Sequence, residues 1–216
     1  MCQTLDQIKS IVKHKKKHEN GNWKTYIIQE YLDKPMLYYR RKFDIRHFML
    51  ITCINGYKKG YWYKDGYLRT TSYEYSTNNC FGSVHLTNDA IQKNLPDYGK
   101  YEKGNKITYH EFQRYLDINY PDDKYSVNSL VKNMKKIARE VVEATYFKLD
   151  PCRKETSLEL FGMDFLVDSK FKPWLLEVNT NPCLELSSPV LERLIPRMIE
   201  NMFRIAIDPI FQPPKG

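Results

Sequence analysis

The apolar and polar positions of the chain change period several times, and each change predicts an element. Leu5, Ile8 and Ile11/Val12 recur at helical spacing, so a short helix is expected over residues 4–12. It runs into the basic stretch Lys13-His14-Lys15-Lys16-Lys17-His18 and the turn-prone Asn20-Gly21-Asn22. Runs of like charge are usually solvated, with a polyanion patch as the alternative. From Trp23 to Leu32 the sequence turns apolar and β-prone through Tyr26, Ile27 and Ile28. One buried strand is predicted there, running into a connector that Pro35 stops.

Beyond Pro35 the period is two. In a strand over residues 41–50, Lys42, Asp44 and Arg46 fall on one face and Phe43, Ile45 and His47 on the other. Tyr61–Tyr63 and Tyr67–Thr71 flank Lys64-Asp65-Gly66, which predicts a hairpin with Arg69 on its second strand. Residues 81–109, rich in Gly, Asn and Pro, read as a long irregular segment of the kind that usually serves binding. Helical spacing then holds from Val127 through Leu130, Met134, Ala138 and Val142 to Thr145, with Ser126 as N-cap. Two apolar strands, Phe161–Val167 and Trp174–Val178, form a second predicted hairpin. Ser188-Pro189 opens a last helix, with a kink expected at Pro196. No internal repeat is visible.

Composition narrows the class. With 216 residues, 42% hydrophobic and 14% aromatic, the chain can bury a core, which excludes a disordered or collagenous chain. Its longest apolar run, Phe48–Ile54, falls far short of the ~20 residues of a membrane span, and residues 1–17 carry no secretory signal pattern. A cytoplasmic protein without a membrane partner is expected. Cys2, Cys53, Cys80, Cys152 and Cys183 show no paired spacing and read as reduced thiols.

The sharpest chemical signal lies in the second hairpin, whose apolar strands each carry one carboxylate, Asp164 and Glu177. A pairing of Val167 with Trp174 would set Asp164 opposite Glu177 on one face, with Asn179 two residues on. Buried carboxylates need a counter-charge, and an all-oxygen set suits Mg²⁺ rather than zinc. Strand-end caps satisfied by Lys or Arg are the structural alternative. Magnesium held by few protein oxygens is completed by substrate phosphates, for which Lys42, Arg46 and Arg69 are candidate cations. No P-loop or Rossmann glycine spacing and no nucleophile–histidine arrangement is present, and His85 reads as structural.

Six ordered segments carry a resemblance: Ile-Gln-Glu-Tyr-Leu at 28–32, Arg-Lys-Phe-Asp-Ile-Arg at 41–46, Tyr-Leu-Arg at 67–69, His-Leu-Thr-Asn at 85–88, Phe-Gly-Met-Asp-Phe at 161–165 and Leu-Glu-Val-Asn-Thr-Asn-Pro at 176–182. From about Trp23 to Pro213 the chain resembles the tubulin tyrosine ligase-like family, of ATP-grasp fold. The resemblance implies the α+β C-terminal portion of that fold, an antiparallel sheet with packed helices. Residues 1–33 would be the end of the central domain and the hinge, and 34–216 the C-terminal domain. The family's N-terminal domain and its glycine-rich, lysine-bearing phosphate loop would lie before residue 1.

It further implies an ATP- and Mg²⁺-dependent carboxylate–amine ligase that adds a free amino acid to the acidic tails of tubulin through an acyl phosphate. By that resemblance Gln29, Glu30, Tyr31 and Leu32 grip adenine, and Lys42, Asp44, Thr87 and Asn88 contact the nucleotide. Asp164, Glu177 and Asn179 match magnesium ligands, Arg46 sits near the transferred phosphate and Arg69 holds the donor carboxylate. Lys106 and Thr180 resemble the glutamate-adding members, whereas residues 98–105 look more like the tyrosine ligase. The expectation leans to glutamate, hence polyglutamylation at microtubules in the cytoplasm or cilia, with tyrosine or glycine as alternatives. Formal net charge is +8 at pH 7, which suits an acidic tail as partner. The rivals are a non-catalytic tubulin-binding relative and a basic, aromatic nucleic-acid binder. The second is disfavoured because the tyrosines fall largely in β segments, so no nucleic-acid partner is expected.

Overall fold

In a computed structural model, residues 2, 4–14, 16–79, 81–122, 125–150 and 152–212 are described. Lys15 of the basic run, Cys80 and Pro213 lie outside them. The chain separates into two compact units, Met1–Asp33 and Lys34–Gly216.

The first unit contains the expected helix α1, Leu5–Lys13. Thr4 caps it reciprocally: its hydroxyl accepts from the Gln7 amide at 3.3 Å, while Gln7 Oε1 accepts from the Thr4 amide at 3.4 Å. The buried strand expected between Trp23 and Leu32 does not form. Ile27 is 94% exposed, and among the described residues of this unit the one bridge made is Lys17–Trp23. β-prone side chains describe a pleated, half-buried surface, and without a neighbouring ladder that propensity has nothing to act on.

The second unit is built on one antiparallel sheet. Its strands are β1 (Leu37–Tyr38), β2 (Arg41–Ile54) and β3 (Tyr57–Glu74). The single turns α2 (Gly82–His85) and α3 (Asp89–Gln92) precede β4 (Lys106–Thr108). Helices α4 (Tyr109–Asn119) and α5 (Val127–Thr145) lead to β5 (Ser157–Val167), β6 (Pro173–Asn179) and α6 (Pro189–Ala206). The strand order is β4-β3-β2-β5-β6, with β1 beside β2. This is the expected α+β architecture.

The hairpin predicted around Asp65-Gly66 is a misreading. β3 runs unbroken through both residues, and the chain reverses instead at Asn55-Gly56, whose φ values are 51° and 80°. Positive φ at both central positions is what a tight hairpin demands, and Asn-Gly meets it. Gly66 serves close approach: a Cβ there would stand 2.7 Å from His47 Nδ1 and 2.8 Å from the Arg46 carbonyl oxygen. Beside it the β2–β3 register shifts between His47 and Met49.

The two faces of the sheet are covered differently. Phe43, Ile45, Leu68, Met163, Phe165 and Val167 pack against Phe112 and Leu116 of α4 and Leu130, Met134 and Ala138 of α5. On the other face Phe48 and Tyr67 meet Val190, Leu191, Ile195 and Met198 of α6. α6 continues through Pro196 as one helix. The predicted caps hold, with Ser126 Oγ accepting from the Ser129 amide at 3.2 Å and Ser188 Oγ from Leu191 at 3.3 Å. Cys2, Cys53, Cys152 and Cys183 are free thiols.

Candidate functional site

The β5–β6 hairpin places the two carboxylates together by a route the sequence did not suggest. Val167 pairs with Pro173, not with Trp174, and Phe165 pairs with Leu175. A bulge then intervenes, so that Leu176 is an extra residue on β6 and Asp164 faces Glu177, with Gly162 facing Asn179. The core explains the bulge. Leu175 and Val178 both pack against the α4–α5 side, which residues three apart in a regular strand cannot do. The insertion thereby turns Glu177 and Asn179 to the opposite face.

That face continues across β2 and β3. Lys42, Asp44 and Arg46 share it as expected, but they are buried rather than solvated. Their charges are met by a chain of ion pairs. Arg46 holds Asp164 with Nε on Oδ1 and with Nη2 on Oδ2 at 2.9 Å. Arg69 also donates from Nη2 to Asp164 Oδ2, at 2.8 Å, while gripping Asp44 through Nε at 2.8 Å and Nη2. Asp164 is thus answered by two guanidinium groups, though from within β5 and not as the strand-end cap of the structural alternative. Burial favours its neutral acid, but the Arg46 hydrogen bond and the Arg69 charge outweigh this and hold the carboxyl below its ordinary range. Burial also lowers the Lys42 pKa to about 8, against the opposing charge of Asp44.

Above the network lies a cavity of about 380 Å³, a size suited to a small ligand. Arg46, Arg69, Asn88, Glu177 and Asn179 line it together with Asp89, Lys93 and Asn181–Cys183. Five of the predicted residues therefore meet on one wall. Asp164, Asp44 and Lys42 are not on that wall; the two carboxylates underlie it through Arg46 and Arg69. Thr87 is buried beside Asn88, and Thr180 is exposed; neither lines the cavity. Lys106 does not line it either. Its side chain is 1% exposed and is bound to Asp89 Oδ1 at 2.5 Å and to the Gly104 carbonyl at 2.9 Å. Gln29, Glu30, Tyr31 and Leu32 belong to the unit Met1–Asp33. His85 donates from Nε2 to the Asn79 carbonyl and packs edge-on to Tyr75, a structural setting.

One feature of the site was not anticipated. Gly162 keeps room for it: a Cβ there would come within 2.8 Å of Pro182 Cβ and 3.3 Å of Arg46 Cδ. The segment 81–109, expected to bind something, contributes Asn88, Asp89 and Lys93 to the wall. It is fastened to the sheet by Arg41, which donates to Glu102 through both terminal nitrogens, one at 2.8 Å. Asn105 adds bonds from Nδ2 to the Thr70 carbonyl and to Ser72 Oγ, both at 3.0 Å.

The donor set is compatible with a hard divalent cation. Among the described residues no three His, Cys, Asp or Glu side chains cluster as ligands; of the two carboxylates expected to bind, Glu177 lines the cavity and Asp164 faces it across the ladder. Asn179 commits its amide nitrogen to the Gly162 carbonyl at 3.4 Å and to Glu177 Oε1 at 3.3 Å, which makes its oxygen the atom available to a cation. Glu177 and the Asn179 oxygen, which face the cavity, fit Mg²⁺, which retains waters and takes phosphate oxygens for the rest, while Asp164 beside them has its oxygens held by Arg46 and Arg69.

No helix among the described residues is long and apolar enough to cross a membrane. A profile of the tubulin-tyrosine ligase family matches residues 2–215. Among curated relatives, tubulin glycylase 3B of Drosophila melanogaster is 32% identical over 88% of the chain and 25% of its own length. Tubulin glycylase 3A of the same organism is 36% identical over 85% of the chain and 18% of its own length. Protein monoglycylase TTLL8 of Mus musculus is 32% identical over 85% and 22% respectively. The chain thus spans a quarter or less of the length of these relatives. With the profile matched from end to end, an α+β sheet as expected and the shared face of Asp164 and Glu177 in place, the chain belongs to the tubulin-tyrosine ligase family.

Proposed function

We propose that the protein carrying this chain is an ATP-dependent amino-acid ligase that adds glycine to the acidic tails of tubulin. The observation that carries the reading is the convergence of Arg46, Arg69, Asn88, Glu177 and Asn179 on one cavity. Ligation through an acyl phosphate requires charge neutralisation and positioning more than a proton-shuttling dyad, and this wall is made of fixed guanidinium groups, a carboxylate and amides. Arg46, held at Nε and Nη2 by Asp164, is oriented toward a transferred phosphate, and Arg69, held by Asp44 and Asp164, toward the donor's α-carboxylate. Asp164, Glu177 and Asn179 would hold Mg²⁺, which when bound supplies positive charge to the phosphate oxygens. Lys42, Asp44, Thr87 and Asn88 would contact the nucleotide.

For the donor, glycine replaces the glutamate to which the sequence leaned. The relatives reported above are named as glycylases. The pairing of Lys106 with Asp89 points the same way, because a lysine already answered by a carboxylate offers no cation for a second carboxylate on the donor. Polyglutamylation accordingly gives way to glycylation, and the microtubule is the expected place of action.

The test is Mg·ATP-dependent transfer of labelled glycine, glutamate and tyrosine to tubulin by the full-length gene product, with Glu177→Gln as control. Glycine transfer that Glu177→Gln abolishes is the expected result. Transfer of none of the three, with binding to tubulin tails retained, would instead favour a non-catalytic relative in which Asp164 serves only to order Arg46 and Arg69.

A further inference from the structure

We propose that Asp89 is the residue that excludes acidic donors from the site: by capping Lys106 it removes the cation a side-chain carboxylate would need, and it presents its own negative charge to the cavity. The inference rests on the ligase reading above and adds the determinant of donor choice.

The argument begins at the sheet. Arg69 on β3 and Lys106 on β4 are direct cross-strand partners, so their side chains leave the same face side by side. Arg69 commits Nε and Nη2 to Asp44 and Asp164, which leaves Nη1 of its fork for an incoming carboxylate. A donor amino acid seated on Arg69 therefore extends its side chain into the neighbourhood of Lys106. There it meets Asp89, because Asp89 lines the cavity, about a third exposed, while Lys106 lies beneath it with a side chain 1% exposed. Asp89 Oδ1 accepts from Lys106 Nζ at 2.5 Å and from the Tyr98 hydroxyl at 3.4 Å. Lys106 Nζ also donates to the Gly104 carbonyl at 2.9 Å, so its charge is locally satisfied.

A glutamate donor would bring a second carboxylate to this point. It would either face Asp89 directly or displace it, leaving Asp89 without its partner, and both cost binding free energy that glycine never incurs. Lys93, the lysine that lines the cavity, is exposed, and an ion pair formed there in water offsets little of that cost.

The experiment uses the full-length gene product and its Asp89→Asn, Asp89→Asn/Lys106→Met and Asp89→Asn/Lys93→Ala variants. Glycine and glutamate compete in one reaction for transfer to tubulin, and the equilibrium Kd of each free amino acid is measured in parallel. Asp89→Asn keeps the size of the side chain while freeing the Lys106 charge. The expected result is a rise of at least tenfold in the glutamate-to-glycine ratio, about 1.4 kcal/mol. Lys106→Met returns the ratio to the wild-type value and Lys93→Ala leaves the rise in place. An unchanged ratio in Asp89→Asn, or a gain that disappears with Lys93 rather than with Lys106, overturns the inference while leaving glycine ligation intact. If the wild-type protein transfers no amino acid, the proposed function fails separately. The Kd ratio then decides: an unchanged ratio in Asp89→Asn overturns the inference, and a tenfold rise upholds it.

Discussion

Replacing Asp164 by Ala should be among the most destabilising single changes in the second unit. The carboxylate accepts three charge-assisted hydrogen bonds, two from Arg46 and one from Arg69, and the side chains are 2%, 8% and 9% exposed for Asp164, Arg46 and Arg69. Arg69 retains Asp44 after the change, whereas Arg46 loses its partner and is left as a buried charge. Breaking a buried pair from one side costs about 3–5 kcal/mol, because the surviving charge remains desolvated and unanswered. At ~2–4 °C per kcal/mol for a unit of this size, the midpoint of thermal unfolding should fall by roughly 6–20 °C. The assay is a double-mutant cycle on the 216-residue chain with Asp164→Ala, Arg46→Met and the pair. Methionine keeps the apolar stem of the arginine while removing its charge, so the double variant should lose at least ~1.5 kcal/mol less than the sum of the singles. Acid provides a second reading. The folded carboxyl is held below its unfolded pKa, so its stabilisation is complete above about pH 4 and is lost as pH falls through the lower folded value. Wild type and Asp164→Ala should therefore converge in acid. Additive single effects, or an Asp164→Ala variant that melts within ~2 °C of wild type, would refute the reasoning.

Two further outcomes test the fold beneath the site. Gly66→Ala should destabilise by about 1–3 kcal/mol in urea unfolding, since its Cβ would press on the Arg46 carbonyl at 2.8 Å, a backbone atom that cannot swing aside; a variant as stable as wild type would contradict this. His47 is wholly buried, donating from Nε2 to the Tyr63 carbonyl at 2.7 Å and accepting at Nδ1 from the Tyr109 hydroxyl at 2.8 Å. Burial outweighs the Tyr63 bond and pushes its pKa down from 6.5 to about 3. Between those values the unfolded chain binds a proton that the folded one does not. Stability should thus decline by about 1.4 kcal/mol per unit as pH falls from 6.5 towards 3. His47→Gln should flatten that slope in denaturant titrations at several pH values, and an equally steep slope would show that another group carries it.

What could be read along the chain was what lies within one element. Three helices announced themselves through their period, two of them also through the starts at Ser126 and Ser188, and the carboxylates of the second hairpin stood out because apolar strands seldom carry any. Two local signals were present and passed over. Thr108 and Glu111 form a reciprocal cap that opens α4, with the Glu111 amide 3.1 Å from Thr108 Oγ1, and Asn55-Gly56 marks the real β2–β3 turn. Asp65-Gly66 drew attention instead, because a glycine required for close approach looks in sequence like a glycine required for a turn. The strand expected after Trp23 failed for a different reason: strand formation depends on a partner ladder, and no property of residues 23–32 reports whether one is there.

The charged network could not be read in this way, and the reason bears on how the site was built. Arg46 and Asp164 are 118 positions apart, Arg69 and Asp44 25, and Lys106 and Asp89 17, so each ion pair is a consequence of tertiary placement rather than of spacing. Lys42, Asp44 and Arg46 could be assigned to one face but not to the interior, because alternation gives a side but not what covers it. Even the correct prediction, Asp164 opposite Glu177, followed from a register that is wrong at the turn and is corrected by the Leu176 bulge. That bulge lets one short strand keep Leu175 and Val178 in the core while offering Glu177 and Asn179 to the cavity. A regular strand would have to surrender one of the two. The packing of the core and the chemistry of the wall are therefore reconciled by the same inserted residue, and deleting Leu176 should make the ladder regular while leaving Glu177 opposite Asp164.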